Sequence, residues 1–111
     1  MSEVVDVTFR AREQDIDYWE KILRGLEDGE AGALFQEKIA RFGDAVDEYL
    51  EELIDEEEGY GPDAFNLSAW RRDGDLFTLE FDFPDIDFAD DLRKLFSLCP
   101  VSELKVIADW E

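Results

Sequence analysis

Residues 76–83 read "LFTLEFDF", with Phe77, Leu79, Phe81 and Phe83 on one side and Thr78, Glu80 and Asp82 on the other. A period of two marks a strand with one buried and one wet face. Pro84 cannot donate to a ladder and ends it. Just upstream, "RRDGD" (71–75) contains an Asp-Gly pair, a hairpin signal, so "FNLSAW" (65–70) reads as the partner strand. The same alternation recurs near both ends of the chain. In "VVDVTFRA" (4–11), Val5, Val7, Phe9 and Ala11 oppose Asp6, Thr8 and Arg10; in "ELKVIADW" (103–110), Leu104, Val106, Ala108 and Trp110 share a face.

Between these strands the apolar period changes to that of a helix. Ile16, Trp19, Ile22, Leu23 and Leu26 form one stripe, broken by "EDGEAG" (27–32). A second, longer stripe comprises Leu34, Phe35, Ile39, Phe42, Val46, Tyr49, Leu50, Leu53 and Ile54, and predicts one continuous helix up to "EGYGPD" (58–63). Leu92, Leu95, Phe96 and Leu98 mark a further helix, with Asp85 or Asp87 as its cap and Pro100 as its stop. The resulting order is β-α-α-β-β-α-β. It predicts a single α+β domain over residues 1–111, an antiparallel four-stranded sheet with helices on one face. This is a ferredoxin-like variant with an enlarged first crossover.

The chain is 45% hydrophobic, with nine Phe and three Trp, which is enough apolar material for a core. A disordered acidic tail lacks such aromatics. The net charge of −20 is therefore carried by a folded domain. It argues against nucleic acid or an anionic membrane as direct partners, because both are negative themselves. The N-terminal residues have no basic region leading into an apolar run, and no stretch reaches the roughly 20 apolar residues that span a bilayer. Cys99 is the single cysteine, so an internal disulfide is impossible, and a cytoplasmic protein is expected.

The charge is unevenly distributed. Residues 1–43 hold ten acids and six bases, whereas residues 44–63 hold ten acids and no base. A second segment, "EFDFPDIDFADD" (80–91), holds six acids and no base. On the predicted long helix, Asp44, Glu48, Glu51, Glu52, Asp55 and Glu58 recur opposite the apolar stripe, with Asp47 and Glu56 beside them. Like charges four residues apart each cost a few tenths of a kcal/mol, and acids at a helix C-terminus oppose its dipole by about 0.3–1 kcal/mol each. Such a placement gains only from something outside the segment, a cationic surface above all.

The binding face expected is therefore Asp44, Asp47, Glu48, Glu51, Glu52, Asp55, Glu56 and Glu58, flanked by Tyr60, with Glu80, Asp82, Asp85 and Asp87 from the second segment. Trp70, which falls off the Phe65, Leu67 and Ala69 face, and Tyr60, in the loop after the acidic helix, read first as core-edge residues and second as exposed interface aromatics. The expected function is non-enzymatic: inhibition of a nucleic-acid-binding enzyme by presenting carboxylates where phosphates would lie. Phage anti-restriction and anti-CRISPR proteins, or immunity proteins against nuclease toxins, are settings for such a module. The chain is similar to those groups in size and acidity alone, and no motif links it to one family.

Other chemistries have weaker support. The chain contains no His, the side chain best suited to proton transfer near neutral pH. It has no Gly-rich phosphate loop, nucleophile elbow or CxxC motif, and Cys99 reads as a buried structural thiol. Asp82, Asp85, Asp87, Asp90 and Asp91 are suitable oxygen donors, yet no window fits a calcium loop, since Asp90 stands where glycine is required. No metal and no cofactor are expected. The alternative from another class is an acidic structural or adaptor domain, in its salt-adapted form bearing acids over its whole surface. The near balance of residues 1–43 weighs against that even spread.

Overall fold

The computed structural model describes residues 3–29, 33–65, 67–82 and 86–110. The strands are β1 (Glu3–Ala11), β2 (Leu67–Asp73), β3 (Leu76–Phe81) and β4 (Val101–Trp110). The helices are α1 (Ile16–Glu27), α2 (Ala33–Ile39), α3 (Asp44–Ile54) and α4 (Ile86–Ser97), so the class is α+β. The strands form one open, fully antiparallel sheet in the order β2-β3-β1-β4. β2 and β3 are joined by a two-residue loop, Gly74–Asp75, between the paired Asp73 and Leu76. Phe83 and the expected Asp85 cap lie outside the described residues, as do the side chains of Leu34 and Trp110.

The alternation read from the sequence is the alternation of burial. Val5, Val7 and Phe9 of β1 and Phe77, Leu79 and Phe81 of β3 are fully buried, while Asp6, Thr8, Thr78 and Glu80 are half-buried on the other face. Over the buried face lie Trp19, Ile22, Leu23 and Leu26 from α1 and Phe88, Leu92, Leu95 and Phe96 from α4. Phe9 sits at the centre, its ring 4.8 Å from Trp19, 5.4 Å from Phe96 and 5.5 Å from Phe77. Leu98, expected on the buried stripe of α4, is 42% exposed because the helix has ended at Ser97.

Two further expectations change. The long helix is divided: α2 stops at Ile39, a 3-10 turn follows over Ala40–Phe42, and α3 begins at Asp44. Gly43 makes the break with φ 138, a conformation that a side chain would strain. The apolar stripe nevertheless continues through the break, because Phe42 stacks on Trp19 at 4.9 Å. The second change concerns the face of β2 on which Trp70 lies, although its core-edge position is as read from the sequence. A register shift between Leu67 and Ala69 places Trp70 opposite Leu79, on the helix-covered face, where it packs half-buried against the core. One inserted residue turns every later side chain of the strand to the other side.

Candidate functional site

The division of the long helix alters the electrostatics of the acidic segment. With α3 starting at Asp44, both Asp44 and Asp47 stand in its first turn, where the positive end of the dipole favours them. Only Glu51 and Glu52 crowd the opposite end, whose last turn holds no base. Asp44, Glu48, Glu51 and Glu52 are all exposed. Asp47 is half-buried and accepts a hydrogen bond from Gln36 Nε2 on α2 at 3.1 Å, so it braces two helices.

Asp55, Glu56 and Glu58 do not continue the helix. Asp55 has turned to an extended conformation, and its Oδ1 accepts the backbone N–H of Glu57 at 2.8 Å. It thereby caps a single turn over residues 55–59, in which Gly59 N donates to Asp55 O at 2.8 Å. Glu56, Glu57 and Glu58 lie in this turn, all exposed. Gly59 fits because it lacks a side chain: a Cβ there would lie 2.3 Å from Glu52 O and 2.4 Å from Leu53 O. The Tyr60 N–H then bonds back to Leu53 O at 2.8 Å and closes the end of α3.

Of the two readings of Tyr60, the structure shows the core-edge one. The residue is half-buried, its ring stands edge-on to Phe88 at 5.1 Å, and its hydroxyl donates to Asp91 Oδ2. Tyr49 donates to the other oxygen, Oδ1, at 2.8 Å. Asp91 of α4 thus receives one hydroxyl from α3 and one from the turn after it, and the two acidic segments are packed side by side. Burial first, and then the bond to Asp91, raise the Tyr49 pKa, so the phenol stays protonated and remains a donor.

From the second segment, Asp87 is exposed in the first turn of α4, and Asp90 is exposed one turn further on, 2.7 Å from Arg93. Asp82 is exposed just after β3. Glu80 does not join Asp87 and Asp90: it pairs across the strands with Asp6 on the open face of the sheet. Asp85 lies outside the described residues. The roles of Glu57, Asp90 and Asp91 were not assigned from the sequence. Their acidity was legible, but the convergence of Tyr49 and Tyr60 on Asp91 depends on a contact that no spacing encodes.

Burial pushes the Cys99 thiol up to about 12, so it is protonated at neutral pH and a poor nucleophile. Among the described residues no three carboxylate or thiol side chains converge as a metal site would, and no helix is long and apolar enough to cross a membrane. The chain matches no protein-family model, no curated protein and no solved structure.

Proposed function

We infer that this protein is a non-catalytic inhibitor that occupies the basic groove of a nucleic-acid-binding enzyme. The observation that carries this reading is the packing of α3 against α4, with Tyr49 and Tyr60 both bound to Asp91. It gathers Asp44, Glu48, Glu51, Glu52, Glu56, Glu57, Glu58, Asp87 and Asp90 onto neighbouring elements, all exposed. From Asp44 to Glu52 is about 12 Å of helix axis, over which one strand of duplex DNA presents about four phosphates. α3 offers four exposed carboxylates in that span.

Lys and Arg side chains placed for phosphates accept carboxylates through the same charge-assisted bonds. Long-range attraction speeds the encounter, and desolvated contacts slow release. The strand order and the helix-covered face suit a ferredoxin-like plan whose first crossover holds three helices, a rigid support for such a surface. The partner is a basic protein, met in the cytoplasm; phage anti-restriction or anti-CRISPR activity and nuclease immunity are the settings this chemistry suits.

The test is capture of partners from a bacterial lysate at low salt, elution with rising salt, and competition of the eluted enzyme's nucleic acid by this protein. Competition that fades as salt rises supports the reading. The variant Glu48→Lys/Glu51→Lys/Glu52→Lys should remain folded and fail to compete. Undiminished competition by that variant removes α3 from the binding face.

A further inference from the structure

The two edges of the sheet differ in how the rest of the chain covers them. β2 and β4 are the outer strands, and each turns the N–H and C=O groups of alternate residues away from the sheet. The two-residue loop between β2 and β3 closes on a hydrogen-bonded pair, Asp73 with Leu76, so the backbone groups of Arg72 and Trp70 point outward. Carried across β3 and β1, the same alternation points Val106 and Ala108 outward on β4. There Arg93 of α4 donates to the carbonyl of Val106 at 3.1 Å, and a register shift with Glu103 at φ 52 interrupts the strand. Features of this kind guard an edge against further pairing. On β2, no described residue bonds to the outward backbone groups of Trp70 and Arg72.

The side chains of this edge are unmatched as well. Arg72, on the helix-covered face, is held by Glu20 of α1 at 2.7 Å. Arg71 and Asp73, on the open face, are exposed, and neither forms an ion pair with another described residue. Together with Leu76 and Thr78 they line a depression at the sheet margin. We propose that β2 is a strand-addition site, where an extended segment of another protein pairs antiparallel with it and continues the sheet. The added strand exchanges hydrogen bonds with Trp70 and Arg72. Its residue opposite Arg71 therefore lies in a non-bonded pair, where facing side chains approach most closely. A carboxylate there meets Arg71, and an amine two residues earlier meets Asp73. The segment reads base-x-acid, followed by a β-branched residue opposite the half-buried Trp70.

The electrostatics of the sheet favour this edge over the other. β2 carries Arg71, Arg72 and Asp73, a net of +1, whereas β1 (Glu3, Asp6, Arg10), β3 (Glu80) and β4 (Glu103, Lys105, Asp109) are each −1. A base-x-acid segment is neutral in sum, so it escapes the repulsion that an acidic one would meet on a molecule of net charge −20. The acids of α4 also lie away from β2, because α4 packs against β4 at the opposite margin, about 14 Å across the sheet. The site is thus separate from the acidic face of the proposed inhibitor, and it takes a different chemistry.

NMR titration of the isotope-labelled protein with the end-blocked peptide Thr-Lys-Thr-Glu-Val-Val-Thr tests this. The amide signals of Trp70 and Arg72 should shift and their hydrogen exchange should slow, while those of Val106 and Ala108 stay as they are. Exchanging the charges, to Thr-Glu-Thr-Lys-Val-Val-Thr, turns two attractive cross-strand pairs into repulsive ones and should weaken binding about tenfold. Methylating the backbone nitrogens of the third and fifth peptide residues, which face β2, should abolish binding with the protein unaltered. Arg71→Asp/Asp73→Arg, at two exposed positions, should prefer the exchanged peptide. An absence of shifts at Trp70 and Arg72 overturns the proposal, as does equal affinity of the wild-type protein for both peptides or binding that survives methylation. Protection of the same amides by rising protein concentration alone also overturns it, since the occupant is then a second copy.

Discussion

Tyr49 on α3 donates its hydroxyl to Asp91 on α4 at 2.8 Å, and this bond holds one acidic segment against the other. Because Tyr60 occupies the second oxygen, both sides of the carboxylate are engaged. Bonds to a charged acceptor contribute about 1.5–3 kcal/mol where partly shielded from water. Asp91→Ala should therefore lower stability by about 2–4 kcal/mol in urea denaturation, with both hydroxyls left without their acceptor. Tyr49→Phe should lower it by about 1–2 kcal/mol, and the double variant should fall short of the sum, since the two changes remove one shared bond.

Reversing Glu51 and Glu52 to Lys should raise stability. The last turn of α3 has no cation, and each change replaces an unfavourable interaction with the dipole by a favourable one. An increase of about 0.5–1.5 kcal/mol for the pair is expected at low ionic strength, shrinking as salt is added. Asp55 should behave in the opposite way although it is equally acidic. Its Oδ1 caps the following turn, so Asp55→Lys should cost about 1 kcal/mol.

Gly59→Ala should destabilise the protein by about 1–3 kcal/mol, because the added methyl group collides with the backbone carbonyl oxygens of Glu52 and Leu53, and the end of α3 must shift to admit it. The same change should loosen the Tyr60 hydroxyl from Asp91. Faster amide exchange at Tyr60, whose N–H bonds to Leu53 O, is the local readout.

The buried thiol sets a limit at alkaline pH. Burial raises the Cys99 pKa from 9.0 to about 12 in the folded protein, so the unfolded chain loses this proton first. The corresponding stability is fully present below about pH 9 and is lost as pH rises toward 12. The raised Tyr49 pKa adds a loss of the same sign above its ordinary value of 10.0. Cys99→Ala should flatten the decline in melting temperature across pH 9–11. In the native protein at neutral pH, a thiol reagent should label Cys99 only as fast as the chain opens.

Much of this architecture was legible in the chain. Alternation in "LFTLEFDF" fixed which side chains of β3 face the core, since a strand on a one-sided sheet must bury every second residue. The count of acids fixed that part of the surface would be strongly negative. Other features were local enough to be seen but competed with a stronger pattern. The Gly43-Asp44 pair is a break followed by a favourable first turn, yet the apolar stripe runs through it without interruption.

What the tertiary structure alone decided is which acids belong together. Glu80 and Asp87 belong to one acidic run, but strand pairing sets Glu80 beside Asp6 on the open face of the sheet, while Asp87 stands in the first turn of α4. Tyr49 and Asp91 are 42 positions apart, and only the packing of α3 on α4 makes them partners. The bulge that turns Trp70 inward also depends on the neighbouring strand, because a register shift exists only between two chains of backbone. Sequence specifies periodicity and composition, which are properties of neighbours along the chain. Charge clusters, latches and open faces are set by long-range contacts, and those follow from how the buried stripes pack together.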